Sequence, residues 1–454
     1  MRTILITGVL VLSAAAALAG QRRASPGAAG RCVLQLDSTG RAGRQLIVGA
    51  DTNYYAGGGV WLSCLRATVT MVSDSLAFTG PAGRKVAQFI GNVRYRDSTV
   101  TMEAERGTYF TAGERWEARG NVRTVNTRTG STLTGPSLDY YRAVPGRDTV
   151  ELYAVGRPTI SYATRDSAGQ PAEPYRVVGD RVRMKGNDRI WAGGRVTIDR
   201  SDFQARGDSL QLDAGPAGEG SLFGSPVMRG LGRDSFELTG GRIDLRLENQ
   251  ALTYVLALSD AHAVSRDVDL VADTIGLDLE RNQLAQTLAW GRRGRPHATA
   301  GDYEIRADSV AFDTPERLLR EIRAYRGAWL AGKPDPESAE PEWLRRDWIT
   351  GDTVVARFTT WDSAGTLRSS VHLIDARGAA RAHYRVSEAR GGGALPAINY
   401  ARGRQIIVRM RPEGRRGVER VDIEGQVDGV YLEPLALRPD SAAIADSLRR
   451  RRVP

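Results

Sequence analysis

Acidic side chains recur along the chain, and they are the first residues whose type and spacing could do chemistry. An acid that follows a small residue occurs at Asp74, Asp180, Asp208, Asp273 and Asp308. Repeated carboxylates could hold calcium, but the glycine-rich nonapeptide of calcium-binding β-rolls is missing. A hydrogen bond from each aspartate to its own turn backbone is therefore the preferred interpretation.

The remaining reactive side chains indicate neither a metal site nor an enzyme. His262, His297, His372 and His383 lack metal-ligand spacing, and His262 is interpreted as an inward-facing structural residue. The sequence contains no nucleophile elbow, phosphate-binding loop or dinucleotide fingerprint. We therefore expect no enzymatic activity, no cofactor and no bound metal.

Two cysteines, Cys32 and Cys64, are the only ones in the chain. Each alternates with apolar residues, so both are expected on the same apolar face of adjacent strands. In an oxidising compartment they would form one disulfide that pins the N-terminal strand. The alternative is a pair of free, buried thiols.

The N-terminus predicts export from the cytoplasm. Residues 1–20 combine an arginine, an apolar run and the small-x-small pattern Ala17-Leu18-Ala19, which is typical of a cleaved secretory signal. The alternative is an uncleaved anchor, but the apolar run is short for a span that needs roughly 20 residues. We expect a periplasmic protein, cleaved near Ala19, that is either free or associated with the outer membrane.

Positive charge is carried almost entirely by arginine. The chain has 63 Lys plus Arg against 53 Asp plus Glu, and its only lysines are Lys85, Lys185 and Lys333. Guanidinium groups bind phosphates and carboxylates in a bidentate way. The alternative is a solvated basic surface, and no nucleic-acid partner is predicted.

The acids belong to a repeat that occurs about ten times. Around Asp208 the apolar residues change from odd to even positions, since Phe203 and Ala205 precede it and Leu210 and Leu212 follow. Alternation with period two indicates strands, and a change of parity requires a bend or bulge that keeps the apolar side inward. The adhesion-like tripeptide at residues 206–208 is interpreted as one of these corners. The predicted corners are Asp74, Glu105, Pro136, Asp180, Asp208, Gly241, Asp273, Asp308, Asp352 and Arg404.

A glycine marks a second, gentler corner in most repeats. At Gly194 the apolar parity is kept on both sides, which favours a position where a Cβ would be in the way. The glycines assigned to this role are Gly91, Gly120, Gly156, Gly194, Gly224, Gly378 and Gly425.

Short polar turns between the corners predict hairpins and exclude a parallel β-helix. Such turns occur at Gly186-Asn187 and Ala112-Gly113. The predicted fold is all-β, an antiparallel meander folded lengthwise into two facing sheets and elongated to about 100 Å, since each strand adds roughly 4.8 Å. We expect one repeat domain over residues 21–435, or two stacked halves over about 31–330 and 345–435, followed by a basic tail with a short helix over 436–454.

The repeats resemble the OstA-like superfamily. The stretches "GNVRYRDSTVTMEAERGTYF" and "ITGDTVVARFTTWDSAGTLRSSV" are similar to units of LptA-type periplasmic proteins and of the N-terminal domain of the outer-membrane lipopolysaccharide translocon. The resemblance implies an open β-jelly-roll, or "β-taco", that cradles lipopolysaccharide acyl chains between its sheets. It also implies end-to-end stacking and partners among the other transport components. This chain departs from the compact LptA pattern in its larger repeat number, its insertions and its short basic tail.

The inward apolar side chains are the candidate lipid-binding residues. An incompletely closed trough would bury hydrocarbon at about 25 cal/mol per Å², whereas closed sheets would turn the same residues into an ordinary dry core. A secreted or surface β-repeat protein with a structural or adhesive role is the second hypothesis. The candidates are Val69, Met71, Leu76, Phe78, Val182, Met184, Phe203, Leu210, Leu212, Ile243, Leu245, Ile275, Leu277, Val310 and Phe312.

Overall fold

The computed structural model describes residues 31–433 except for fourteen short gaps. Within the described residues the chain is all-β and contains no α-helix, so no described helix is long and apolar enough to cross a membrane. The predicted signal segment and the predicted C-terminal helix both lie outside the described residues. The gaps are 42, 82–83, 166–168, 216, 232–234, 249–250, 267, 281–282, 292–294, 316–317, 335–344, 364–365, 387–396 and 412–417.

Thirty strands are described, and the longest run through a bend. The first fifteen are β1 Leu34–Thr39, β2 Arg44–Val48, β3 Asp51–Cys64, β4 Ala67–Thr79, β5 Val86–Arg96, β6 Val100–Phe110, β7 Arg115–Asn126, β8 Thr132–Tyr141, β9 Glu151–Val155, β10 Thr159–Arg165, β11 Pro171–Val178, β12 Arg181–Lys185, β13 Arg189–Asp199, β14 Phe203–Asp213 and β15 Ala217–Phe223. The others are β16 Val227–Gly230, β17 Phe236–Thr239, β18 Arg242–Glu248, β19 Ala251–Ser265, β20 Val268–Glu280, β21 Gln283–Trp290, β22 His297–Ala300, β23 Tyr303–Arg306, β24 Ser309–Asp313, β25 Glu321–Gly332, β26 Trp348–Ser363, β27 Thr366–Val386, β28 Ala397–Met410, β29 Val418–Glu424 and β30 Asp428–Leu432.

All thirty strands belong to one hydrogen-bonded, antiparallel sheet. The pairing closes a six-strand barrel in the order β8, β9, β12, β13, β11 and β10. The ring closes because β8 and β13 run through the bend, whereas β9 ends at Val155 before β10 and β11 ends at Val178 before β12. The pairing also continues from β25 to β26, across the boundary between the two suggested halves.

The bends are bulges in which two residues of one strand lie opposite one residue of its neighbour. Between β13 and β14, Gly193 pairs with Ser209 and Val196 pairs with Gly207, so residues 194 and 195 face Asp208 alone. Gly194 and Arg195 have φ angles of 78° and 47°, in the left-handed region. Two left-handed residues in succession turn the strand sharply, and this turn keeps its apolar side inward.

Glycine is required at these bends for steric reasons as well. A Cβ built on Gly194 would lie 2.5 Å from Oδ2 of Asp180, and one built on Gly224 would lie 2.3 Å from Oδ2 of Asp208. The two predicted kinds of corner therefore alternate from strand to strand along one bend line. Asp208 of the adhesion-like tripeptide is packed against Gly224 on this line.

The predicted parity is confirmed on both kinds of strand. On β14, Phe203 and Ala205 are buried before the corner and Leu210 is buried after it. On β13, Ile190 and Val196 are both buried at even positions on either side of Gly194.

Three bends escape the sequence pattern. Ser259 and Asp260, with φ of 63° and 54°, form the left-handed pair opposite Asp273. Because they occupy the bend, the next inward residue is Ala261, which is buried, and His262 points outward with its side chain 42% exposed. The prediction of an inward His262 is therefore wrong. Gly58 and Gly59, opposite Asp74, and Arg326 and Gly327 form the other unpredicted pairs.

The core lies between the two parts of each bent strand. Phe89 and Tyr95 lie on opposite sides of the bend of β5, yet their rings are 5.2 Å and 4.9 Å from the ring of Trp116. The two flanks of the bend line therefore face each other, and their side chains pack between them.

The N-terminal strand is held to this core by a disulfide. Cys32 and Cys64 are bonded, with their Cα atoms 4.9 Å apart. Leu34 of β1 pairs directly with Cys64 of β3, so the disulfide lies at the end of that ladder.

Candidate functional site

The candidate lipid-binding residues all face the interior between the flanks. Phe78, Met184 and Leu212 are only partly buried and pack against the core. The others are buried, namely Val69, Met71, Leu76, Val182, Phe203, Leu210, Ile243, Leu245, Ile275, Leu277, Val310 and Phe312.

This interior is filled with protein side chains. Two cavities within the described part of the chain have volumes of about 30 and 40 Å³, far below the roughly 300–1,000 Å³ of ordinary ligand pockets. A hydrocarbon chain needs far more room, so it fits only if the flanks separate. Whether the flanks can separate depends on the contacts between their free edges.

The free edges are formed by the hairpin turns, because the bend line joins the flanks on the opposite side. We use "first edge" for the facing strand ends, and the described residues between them, of β3 and β4, β5 and β6, β7 and β8, β10 and β11, β13 and β14, β16 and β17, β19 and β20, and β22 and β23. We use "second edge" for those of β4 and β5, β6 and β7, β8 and β9, β12 and β13, β14 and β15, β18 and β19, β20 and β21, and β24 and β25.

Near the N-terminus a buried carboxylate joins the two edges. Asp97 of the first edge accepts hydrogen bonds from the hydroxyl of Tyr140, at 2.8 Å across the interior, and from that of Tyr95 at 2.9 Å. Its other oxygen accepts the backbone N–H groups of Thr99 and Val100, at 2.7 and 2.8 Å. The charged group is thereby satisfied although the residue is buried.

A second buried carboxylate, Glu114, lies beside the first and is 2% exposed. It accepts the backbone N–H of Cys32 at 2.7 Å and the hydroxyl of Tyr109 at 2.5 Å, and it forms an ion pair with Arg142. The contact to Cys32 joins the second edge to the chain segment that carries the disulfide. We refer to Tyr95, Asp97, Tyr109, Glu114, Tyr140 and Arg142 as the polar cluster.

Burial is the main cause of a raised pKa in the three tyrosines of the polar cluster. It raises the pKa of Tyr95 and Tyr140, and the negative charge of Asp97 raises both further. Burial likewise raises the pKa of Tyr109, with a further contribution from its hydrogen bond to Glu114. These tyrosines therefore remain neutral hydrogen-bond donors well above the pH at which a free phenol ionises.

Two further hydrogen bonds join the edges toward the middle of the chain. The side-chain amide of Asn126 donates to Oδ1 of Asn187 at 2.7 Å, and the hydroxyl of Tyr162 donates to the carbonyl of Ala214 at 3.0 Å. Burial raises the pKa of Tyr162 to about 12. From Cys32 to Ala214 the edges are thus tied by polar contacts.

After residue 217 partly buried apolar side chains lie beside both edges. Leu279 and Leu284 on the second edge, and Phe236, Val268 and Tyr303 on the first, are partly buried and pack on the core. The hydrogen bonds seen between described residues of these later turns join groups on the same edge, as from Thr314 to Ala285 or from Lys333 to Asp302. Packing of apolar side chains on the core is therefore the contact that the described residues show beside these edges.

The cavity of about 30 Å³ lies where the polar contacts end. It is lined by side chains of both flanks, almost all of them apolar, and we refer to it as the apolar cavity. Its lining residues are Tyr162, Tyr175, Val177, Ile198, Phe203, Leu212, Ala214, Leu245, Leu247 and Leu252.

An arginine lies against two rings of this lining. The guanidinium of Arg200 is 4.5 Å from the ring centre of Tyr175 and 5.5 Å from that of Phe203, and it donates to the Tyr175 hydroxyl at 2.7 Å. It also binds Asp202 with two nitrogens. Burial disfavours its charge, but the bond to Asp202 and the nearby acids outweigh this and the pKa of Arg200 is raised.

The corner acids on the outer surface have a structural role. Asp74 accepts a hydrogen bond from Nδ2 of Asn92 at 2.9 Å, and Asp180 accepts one from Arg195 at 2.8 Å. These partners are left-handed residues of the neighbouring strand, so the expectation of a bond to the acid's own turn backbone is not what these corners show. Within the described residues no group of three or more potential metal ligands is found.

No family model matches the chain. A comparison with curated proteins likewise finds no match. The functional assignment therefore depends on the residues and contacts described above.

Proposed function

We propose that this protein is a non-enzymatic, periplasmic lipid-binding and transport scaffold that shields lipopolysaccharide acyl chains between its two flanks on the way to the outer membrane. The observation that carries the proposal is the construction of the interior. It is apolar along the sheet, and its free edges are held by side-chain contacts while all backbone ladders run along the flanks.

This construction lets the interior open without unfolding. Separating the edges leaves the strand-to-strand hydrogen bonds intact, so the cost is exposure of apolar side chains. A hydrocarbon chain that enters covers those side chains again and contributes about 0.8 kcal/mol for each buried CH₂. Separation of the edges and binding of the hydrocarbon chain would therefore occur together.

The finer architecture belongs to the same proposal. We infer a β-jelly-roll of about ten stacked repeats, as the resemblance to OstA-like proteins implies. The six-strand pairing order found at β8–β13 recurs at β14–β19 and at β20–β25, which supports a repeated unit.

The two ends of the sheet are proposed as docking surfaces. The N-terminal end exposes Leu46, Ile47 and Val48, and the C-terminal end exposes Val430 and Tyr431. Edge strands with exposed apolar side chains favour addition of further strands. Other lipopolysaccharide-transport components, or a second copy stacked end to end, are the proposed partners.

A secreted or surface β-repeat protein with a structural or adhesive role is the second candidate. The observation that favours it is the filled interior, because a purely structural repeat needs only a dry core. The two candidates differ in whether lipid ever contacts an inward side chain.

Site-specific photocrosslinking in cells separates them. A photoreactive residue at Phe78, Leu212 or Leu277 faces inward, and matched positions at Gln211 and Asp278 face outward on the same strands. We expect lipopolysaccharide adducts at one or more inward positions and none at the outward ones. Labelling confined to outward positions would contradict transport and favour the structural role.

A further inference from the structure

We propose that the apolar cavity is the site at which the interior takes up its first hydrocarbon chain, and that Arg200 binds the anionic group of the same molecule. This inference rests on the proposed function and adds a location and a ligand chemistry to it. The ligand class is an amphiphile with at least one long alkyl chain and a phosphate or carboxylate.

The position of the cavity along the chain supports its assignment as the uptake site. Along the chain it follows the last polar contact between the edges, from Tyr162 to Ala214, and both residues line it. Beyond it the hydrogen bonds between described turn residues join groups on the same edge, and partly buried apolar side chains beside both edges pack on the core. The cavity is thus where separation of the edges can begin at the expense of a single hydrogen bond.

The lining of the cavity also suits a hydrocarbon chain. The first flank contributes Val177 and Ile198, and the second contributes Leu245, Leu247 and Leu252. Separation of the flanks at this point enlarges an existing apolar space whose walls already match a hydrocarbon chain. A dry apolar cavity binds apolar ligands because no water in it has to lose hydrogen bonds.

Arg200 supports the assignment as well. Its side chain is 10% exposed and lies over two rings of the lining, in the turn that forms the first edge. Among the described residues, three of its five N–H groups donate to Asp202 and Tyr175, which leaves two for a ligand. The carboxylate of Asp202 is 32% exposed, so it can turn toward solvent while an anion takes its place.

Binding of defined amphiphiles to the full-length protein tests the inference. The probes are a fluorescent long-chain fatty acid, a phosphorylated glycolipid with acyl chains, and a long-chain alcohol that has no charge. The variants are Arg200→Gln, the conservative Arg200→Lys, and Arg229→Gln as a matched control in an exposed ion pair with Glu237. Ala214→Leu is added because its larger side chain fills the cavity.

We expect Arg200→Gln to weaken binding of an anionic probe by about tenfold or more, since a charge-assisted bond is lost. Arg200→Lys should retain part of the affinity, and the alcohol should bind equally to the wild type and to Arg200→Gln. Ala214→Leu should weaken all three probes. The stronger effect among the fatty acid and the glycolipid identifies whether carboxylate or phosphate is the natural anion.

Different results would contradict this inference and the proposed function. If Phe78 or Leu277 labels with lipid while Leu212 does not, or if Arg200→Gln and Arg229→Gln behave alike, the scaffold binds lipid elsewhere and the uptake site is wrong. If no amphiphile binds and no inward position labels, the proposed function itself is wrong. Thermal unfolding of each variant shows whether a loss of binding is a loss of fold.

Discussion

Residues 32–214 and residues 217–433 are built from the same bent strands, yet different side chains are described beside their free edges. In the first region buried ions and phenols join the edges, as in the pair of Glu114 and Arg142. In the second region partly buried apolar side chains near the edges, such as Phe236 and Leu284, pack on the core. Hydrogen bonds and ion pairs require one geometry, whereas apolar contacts tolerate many.

The difference indicates where the molecule can change shape. A buried ion pair is costly to break because each charge is left without a partner in a medium of low polarity. Apolar contacts can be exchanged for contacts with a ligand of similar polarity at little cost. We therefore expect the first region to act as a rigid clamp and the second to open.

The largest effect is expected from loss of the buried ion pair. Glu114→Ala leaves Arg142, the hydroxyl of Tyr109 and the N–H of Cys32 without their shared acceptor, and should lower the free energy of unfolding by about 3–5 kcal/mol. Denaturant unfolding measures this. The control Glu237→Ala removes an exposed partner of Arg229 and should cost at most about 1 kcal/mol. Equal effects of the two variants would remove the distinction between the regions.

Leucine truncations compare the packing deep within the first region with that beside the apolar cavity at its end. Leu138 is 0% exposed, and Leu212 is partly buried beside the apolar cavity. Leucine-to-alanine changes in cores cost about 2–5 kcal/mol, depending on how far the site collapses. Leu138→Ala should fall in the upper part of that range and Leu212→Ala in the lower part, as measured by the midpoint of denaturant unfolding. The reverse order would show that the cavity region is the more tightly packed.

Alkaline pH should weaken the polar cluster. Burial raises the pKa of Tyr140 in the folded protein above its unfolded value of about 10. The folded state therefore binds more protons above that pH, so its stability is complete below about pH 10 and falls as the pH rises further, by about 1.4 kcal/mol per unit for each such tyrosine. Tyr140→Phe should cost about 1.5–3 kcal/mol at neutral pH, through the lost bond to Asp97. It should also show a shallower alkaline loss than the wild type, and an unchanged slope would contradict the assignment.

The smallest effect is expected at the boundary between the regions. Tyr162→Phe removes only the hydrogen bond to the carbonyl of Ala214 and should cost about 0.5–1.5 kcal/mol. Hydrogen exchange should nevertheless accelerate at Ala214 and Gly215 while the turns at 97–99 and 142–150 keep their protection. Faster exchange at all of these turns would mean that the edges open as one unit.

The bends were predictable from sequence because they alter the parity of the apolar residues. At Asp208 the change from Ala205 to Leu210 can only be met by a bulge, and the structure places one there. The bend at Ser259 and Asp260 was missed because neither residue is glycine, although both adopt the left-handed conformation. The small-residue signal alone therefore underestimates the bends.

The polar cluster could not be predicted, for a different physical reason. Asp97 and Glu114 each lie in a polar turn, where an exposed carboxylate is the ordinary expectation. Their burial depends on Tyr140 and Cys32, which are 43 and 82 residues away along the chain. Arg200 was missed in the same way, because its contact with Tyr175 is made by folding.

The bend line has a consequence for how such chains are compared with one another. Its residues, such as Gly194 and the acid beside it, are fixed by backbone handedness and by the space left for a Cβ. The turns proposed to recognise the ligand, such as the one that carries Arg200, lie at the free edges. Neither constraint acts on them. Two chains with the same bend residues are therefore expected to share a fold, but they need not bind the same ligand.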